Sequence, residues 1–116
     1  MPFRFGYKYT TNEDSLVMDG TEQTLYEETN PKRVVELYID LTPMQAGDTI
    51  VVKEYAKPKN GGAYVFYGSE TYVDVQTIKL LYVTPMPNSN GLKVTIRQTT
   101  GVMRMIDYHY GIENRC

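Results

Sequence analysis

Apolar and polar residues alternate through much of this chain with the two-residue period of a half-buried strand. In RVVELYIDL (33–41), Val35, Leu37, Ile39 and Leu41 fall on one side, and Val34, Glu36, Tyr38 and Asp40 on the other. LKVTIRQT (92–99) sends Leu92, Val94 and Ile96 inward and Lys93, Thr95 and Arg97 outward. TIVVKEY (49–55) divides into Ile50, Val52 and Glu54 against Val51, Lys53 and Tyr55. Shorter extended runs follow at AYVFY (63–67), TYVDV (71–75), TIKLLYVT (77–84) and MRMIDYHY (103–110), with weaker ones at SLVMDG and TEQTLYEE.

Turn residues separate these runs. TPMQAGD (42–48) breaks the chain after the first clear strand, GSE (68–70) reads as a turn, and PMPNSNG (85–91) reads as a loop. Asp19-Gly20 between two extended runs predicts a hairpin, and the short TGV turn predicts a second, C-terminal one. No segment of ten or more residues has helical period with caps. About seven or eight strands in one domain predict an all-β, antiparallel, jelly-roll-like sandwich. Residues 1–18 read as an N-terminal arm or edge strand, and 19–116 as the sandwich domain.

Composition narrows the function classes. The 116 residues fit one domain, and 41% hydrophobic content is that of a globular chain. Twelve basic against fourteen acidic residues leave a net charge of −2, so nucleic acid is not an expected partner. Cys116 is the one cysteine and stands last, which excludes an internal disulfide and leaves an intermolecular bridge open. No apolar run reaches the roughly 18 residues of a membrane span, and the first residues lack a secretory apolar core, so synthesis in a cytosol is expected. Tyrosine stands out at 11 residues, a residue suited both to half-buried strand faces and to interfaces.

Reaction chemistry is sparse. YAKPKNGGAYVFYG (55–68) combines lysines with two glycines, yet a P-loop needs Lys and Ser or Thr after its last glycine, followed by a helix. Here a strand follows, and the spaced glycines of a dinucleotide fingerprint are absent. The stretch therefore predicts a hairpin, with Asn60-Gly61 supplying the positive-φ positions. His109 is the one histidine; Asp107 would share its strand face, but neither a zinc set nor a nucleophile elbow accompanies them. Glu36 and Asp40 would lie about 13 Å apart on a strand, wide for a glycosidase pair. The lysines, Lys53, Lys57, Lys59, Lys79 and Lys93, together with Arg97, read as edge guards or ion-pair partners, and the six methionines as core filling or soft contact. No catalytic residue, metal ligand or cofactor site is expected.

The segments DGTEQTLYE (19–27), LYIDLTPMQAGDTIVVKEY (37–55), NGGAYVFYGSETY (60–72), LLYVTPMPNSNGLKVTIRQTTG (80–101) and DYHY (107–110) resemble small all-β proteins encoded by tailed viruses of bacteria and archaea. The strongest elements are GTEQTL, D-L-x-x-M-Q-A-G-D-T and QTTG. The resemblance implies a virion structural protein, made in the host cytoplasm: a capsid decoration, or cement, protein acting as a homo-oligomer, for example a trimer, on the major capsid protein or other virion proteins. It carries no catalytic residues, and no membrane partner is expected. The candidate interface residues are Phe3, Phe5, Tyr7 and Tyr9 on the arm, Lys57, Lys59 and Asn60 in one loop, and Pro85, Pro87 and Asn88 in another. Deleting residues 1–15 is expected to leave the domain folded and weaken attachment. The alternative is a tail- or fibre-associated module that stacks carbohydrate on tyrosines such as Tyr67. A third reading, an enzyme built on Asp107 and His109, has the least support.

Overall fold

The computed structural model describes residues 7–29, 33–87 and 90–115. They form eight strands and no helix: β1 (Tyr7–Val17), β2 (Gln23–Glu28), β3 (Arg33–Asp40), β4 (Thr49–Ala56), β5 (Val65–Val73), β6 (Leu80–Pro87), β7 (Leu92–Thr100) and β8 (Met105–Arg115). Sheet I has the order β1-β8-β3-β6 and sheet II the order β2-β7-β4-β5, every pair antiparallel. The pairs are nested: β4 with β5, β3 with β6, β2 with β7 and β1 with β8, assigned alternately to the two sheets. A chain doubled back at the β4–β5 turn and then rolled gives this arrangement, the jelly roll.

The strands with the clearest alternation build the core. Val35, Leu37 and Ile39 on β3, Ile50 and Val52 on β4, Leu92, Val94 and Ile96 on β7, and Ile106 on β8 are all buried. Met18, Leu41 and Met44, from two connecting segments, close one end. Each such side chain contributes about 1.5–3 kcal/mol of transfer free energy. Between β2 and β8 the rings of Tyr26 and Tyr110 meet at 4.5 Å, and their hydroxyls are held by Glu28 and Asn12.

Local turn signals misled in several places, each for a physical reason. Asp19-Gly20 does turn the chain, with Asp19 accepting from the Thr21 amide and hydroxyl and Gly20 at φ 85°. However, β1 and β2 belong to different sheets, so the turn is an arch between layers rather than a hairpin. The TGV turn likewise joins β7 to β8 across the sandwich. GSE is no turn: Gly68 lies within β5, beside a register shift opposite Glu54 and Tyr55, and the strand runs on to Val73. Pro85 and Pro87 lie in β6 rather than in a loop. An edge strand tolerates proline because one of its sides makes no ladder bonds, and the β3–β6 register shifts between Val35 and Leu37, opposite Pro85. The β4–β5 hairpin over KPKNGG is present, but only Gly61, at φ 76°, takes positive φ there, and Asn60 does not. Residues 7–17 form an edge strand paired with β8 over eleven residues, so among described residues the arm is strand from Tyr7 onward.

Four connections meet at one end of the sandwich and are tied through Asp48. Its buried carboxylate accepts from the Arg104 guanidinium at 2.8 Å and from the Gln45 amide. Its carbonyl accepts from the Asp74 amide, and the Asp74 carboxylate accepts from the Gly47 amide. Thr100 donates to the Gly47 carbonyl, Gln98 bridges Thr100, Val102 and Arg104, and the Met18 amide donates to the Arg104 carbonyl. Gly101, at φ 91°, passes so close that a Cβ there would lie 2.0 Å from Asp48 Oδ1. The Arg104 hydrogen bond, ahead of the Gln45 amide and Arg104's charge, holds the Asp48 carboxyl below the usual carboxylate range despite its burial.

A depressed folded value places this stabilisation at pH above the ordinary carboxylate value near 3.8; it is lost as pH falls through the folded value. Asp48→Asn is therefore expected to lose roughly 2–4 kcal/mol at neutral pH, because Arg104 is left half-buried without its anion. Urea titrations from pH 7 down to pH 3 should show the gap between wild type and variant closing in acid. Gly101→Ala should lose about 2 kcal/mol or more through left-handed strain and the clash with Asp48. An unchanged urea midpoint in either variant would remove this knot from the account.

Candidate assembly surfaces

The sandwich has four edge strands: β1 and β6 on sheet I, β2 and β5 on sheet II. Three carry features that discourage strand addition. Strand β6 has Pro85 and Pro87, β1 has Glu13 and Asp14, and β2 is six residues long with a register shift and Glu27 and Glu28. Strand β5 is nine residues long and carries one charged residue, Glu70, with a register shift at its Phe66–Gly68 part. Its Val65, Phe66 and Tyr67 are exposed at one end and Val73 at the other, with Ser69, Glu70 and Thr71 exposed between them, and exposed apolar side chains recur at Val75, Ile78 (79% exposed) and Leu80 and Tyr82 of β6. Between the two edges lies a groove of about 280 Å³ floored by Val52, Tyr72, Leu81 and Val83, with Glu54 and Glu70 at its rim.

The outer face of sheet II is aromatic and basic. Lys53 sits over the Phe66 ring at 5.9 Å, Lys57 over Tyr64 at 4.8 Å, and Lys93 over both Tyr55 at 5.0 Å and Tyr64 at 4.8 Å. Glu22 accepts from Tyr55 and Thr95, and Glu27 accepts from Tyr64. The Thr95 and Tyr55 hydrogen bonds lower the Glu22 carboxyl, and the Glu22 bond in turn raises the Tyr55 phenol. Burial, followed by the Glu27 bond, pushes the Tyr64 phenol up to about 12.

The outer face of sheet I carries a cross-strand row, Tyr82 on β6, Tyr38 on β3, His109 on β8 and Glu13 on β1. Tyr38 stacks on His109 at 4.6 Å and 16° and meets Tyr82 at 4.7 Å. Asp107 shares the face with His109, but its carboxylate accepts from the Ser15 hydroxyl rather than orienting the imidazole, so no triad order forms. Glu13, Asp14, Asp40 and Asp107 surround an open concavity of about 480 Å³ beside these rings.

The predicted interface residues distribute unevenly. Phe3, Phe5 and Asn88 lie outside the described residues. Tyr7 and Tyr9 start β1, opposite Arg115 and Glu113. Lys57, Lys59 and Asn60 form the β4–β5 tip, where the Lys57 amide donates to the Gly91 carbonyl and Asn90 donates to the Lys57 carbonyl. The tip is thus joined to the connection that follows Pro85 and Pro87, at the end of the sandwich opposite Asp48. Sequence reasoning missed the β5–β6 edge: the valines and aromatics of 65–73 read as a strand, but not as one lacking an outer neighbour.

No protein-family model and no curated protein matches the chain. Among solved structures, one of Bacillus endospore appendages, described as forming a novel family of disulfide-linked pili, is similar with a TM-score of 0.58. The identity is 13%, over 95% of this chain and 88% of that one, a likeness of fold.

The pairing of β1 changes what a truncation should do. Deleting residues 1–15 removes most of an eleven-residue strand and bares the edge of β8. We expect the melting temperature to fall by about 10 °C or more, whereas a cut after residue 6 leaves every β1–β8 pair in place. Equal melting curves for the 1–15 deletion and the full chain, by circular dichroism, would show β1 to be dispensable.

Proposed function

We propose that this chain is a structural subunit that works by assembly, docking copies of itself and neighbouring subunits through the β5–β6 edge. The observation that carries the reading is the one long, weakly charged edge strand with exposed apolar side chains and a groove beside it, on a sandwich whose other edges are blunted. An open edge of this kind takes up an added strand through main-chain hydrogen bonds, with side-chain pockets setting specificity. The setting we favour is the virion: a capsid decoration protein whose copies brace a shell through many modest contacts. The reading draws on the resemblance to tailed-virus proteins and on the absence of an assembled reaction site among the described residues.

A fibre is the second reading, favoured by the pilus-type structural neighbour. One cysteine joins two chains and no more, so within these 116 residues a serially disulfide-linked fibre is not available and the contacts would be non-covalent. Carbohydrate stacking has less support. Lysine ammoniums lie over Tyr55, Tyr64 and Phe66, and Tyr38 and His109 stack on each other, so these ring faces are already engaged.

Phe66→Lys combined with Ile78→Lys tests the edge. Both side chains are exposed, so the melting temperature should hold. Sedimentation velocity over a concentration series should show oligomers for wild type and monomers for the variant. Electron microscopy of wild-type assemblies then separates a closed shell lattice from an open fibre. Wild-type protein that stays monomeric, and fails to bind particles, would sink the assembly reading.

A further inference from the structure

The two broad faces of the sandwich carry opposite charge. On the outer face of sheet I, the acids Glu13, Asp40 and Asp107, with Asp14 at the rim, border the concavity, and no lysine or arginine lines it. Their hydrogen-bond donors here are neutral, Ser15 for Asp107, Thr42 for Asp40 and the Ser15 amide for Asp14, so the negative charge stays on the surface. On sheet II, Lys53, Lys93 and Arg97 point outward with Lys57 just beyond β4, against two acids, Glu22 and Glu27. The aromatic rings hold three of these ammoniums in place, so little freedom remains to be lost when an anion approaches.

We propose that sheet I of one copy docks on sheet II of the next, acidic concavity on lysine ridge, so that the sandwiches stack face on back. The proposal rests on the assembly reading and adds a second contact to the edge. The molecule is a slab of 47 × 39 × 20 Å, and its broad face exceeds the roughly 800 Å² per partner of a standard stable interface. The occupant is a second copy because the complementary charge is on this same chain, on the opposite face. The contact joins unlike surfaces, so it repeats as an open stack unless a rotation closes it into a ring. The rise per copy is close to the slab thickness, 20 Å.

Charge reversal on each face, followed by mixing, tests the stack. One variant carries Glu13→Lys and Asp107→Lys; the other carries Lys53→Glu and Lys93→Glu. Each alone sets its changed side chains against like charge on the facing copy and should associate at least ~10-fold more weakly than wild type in low salt. An equimolar mixture restores complementarity at every contact and should recover association, measured by analytical ultracentrifugation. Wild-type association should also weaken by a similar factor between roughly 50 mM and 500 mM NaCl, as charges become screened. Melting curves check that the variants fold. Because a charge reversal could perturb Asp107's bond to Ser15, Glu13→Lys alone should show a smaller loss of the same sign.

Reversal variants that associate as wild type does, or a mixture that stays dissociated, would overturn the stack. Polylysine bound by a wild-type chain that does not self-associate in low salt would assign the acidic face to a foreign basic partner and overturn it equally. If the Phe66 and Ile78 lysine variant dissociates while the charge reversals change nothing, the stack fails and the edge reading stands; if wild type is monomeric throughout, both fail.

Discussion

The ion pair between Asp48 and Arg104 is the constraint on which the rest of the molecule depends. A jelly roll leaves its eight strands joined by connections at two ends, and nothing within a sheet fixes how those connections sit against each other. Here one buried carboxylate does so at one end. Through its side chain and backbone it holds the β3–β4, β5–β6 and β7–β8 segments, and Arg104 passes the tie to Met18 between β1 and β2. A charge buried without partners would be strongly unfavourable; this one has a cation, an amide and a neighbouring glycine that leaves it room. With four chain reversals pinned, a one-residue slip in any strand would have to break the knot as well as turn its apolar side chains outward.

That rigidity has a consequence at the surface. A sandwich with fixed register presents its edges and faces as constant shapes, and repeated assembly needs constant shapes. Of four edges, proline on β6, carboxylates on β1 and shortness on β2 oppose strand addition, while β5 has exposed apolar side chains and a groove beside it. The faces divide likewise: acids border the rings of sheet I, and lysines cap those of sheet II. Tyrosine, so abundant in the chain, serves both purposes. Tyr26 and Tyr110 close the core, while Tyr38, Tyr55, Tyr64 and Tyr82 stand on the faces with hydrogen-bonded or stacked rings.

Much of the fold was legible because β3, β4 and β7 are central or nearly so, and alternation follows burial on one side. The all-β class and the β4–β5 hairpin followed directly. The false hairpins at Asp19-Gly20 and at TGV show the limit of local reading. A glycine turn that folds a strand back into its own sheet and one that carries it to the opposite sheet use the same residues; only the distant partners, β8 and β7 here, decide. The same holds for β6, where proline signals a break until the strand is known to be an edge. The motifs MQAGDT and QTTG stood out in the sequence as turn and strand residues, and the structure gives their reason: Met44 fills the core end, and Gly47, Asp48, Gln98, Thr100 and Gly101 are the knot itself. The open edge of β5 was not legible at all, since an edge is defined by a strand that is missing.

Edge and face contacts lead to different architectures, and their relative strength decides between them. Strand addition at β5 extends a sheet sideways, within the plane of the slab, and such contacts tile a surface or brace neighbouring subunits of a shell. The face contact adds copies along the slab normal and builds an axial column. The edge is apolar and its strength barely depends on salt, whereas the face is electrostatic and weakens as salt screens it. On the two proposed contacts, growth has two modes separated by ionic strength: lateral contact persists in high salt, and stacking joins it in low salt. The thinness of this sandwich, 20 Å against 47 and 39 Å, gives the face the larger area, while an added strand at the edge gains the stronger hydrogen-bond directionality.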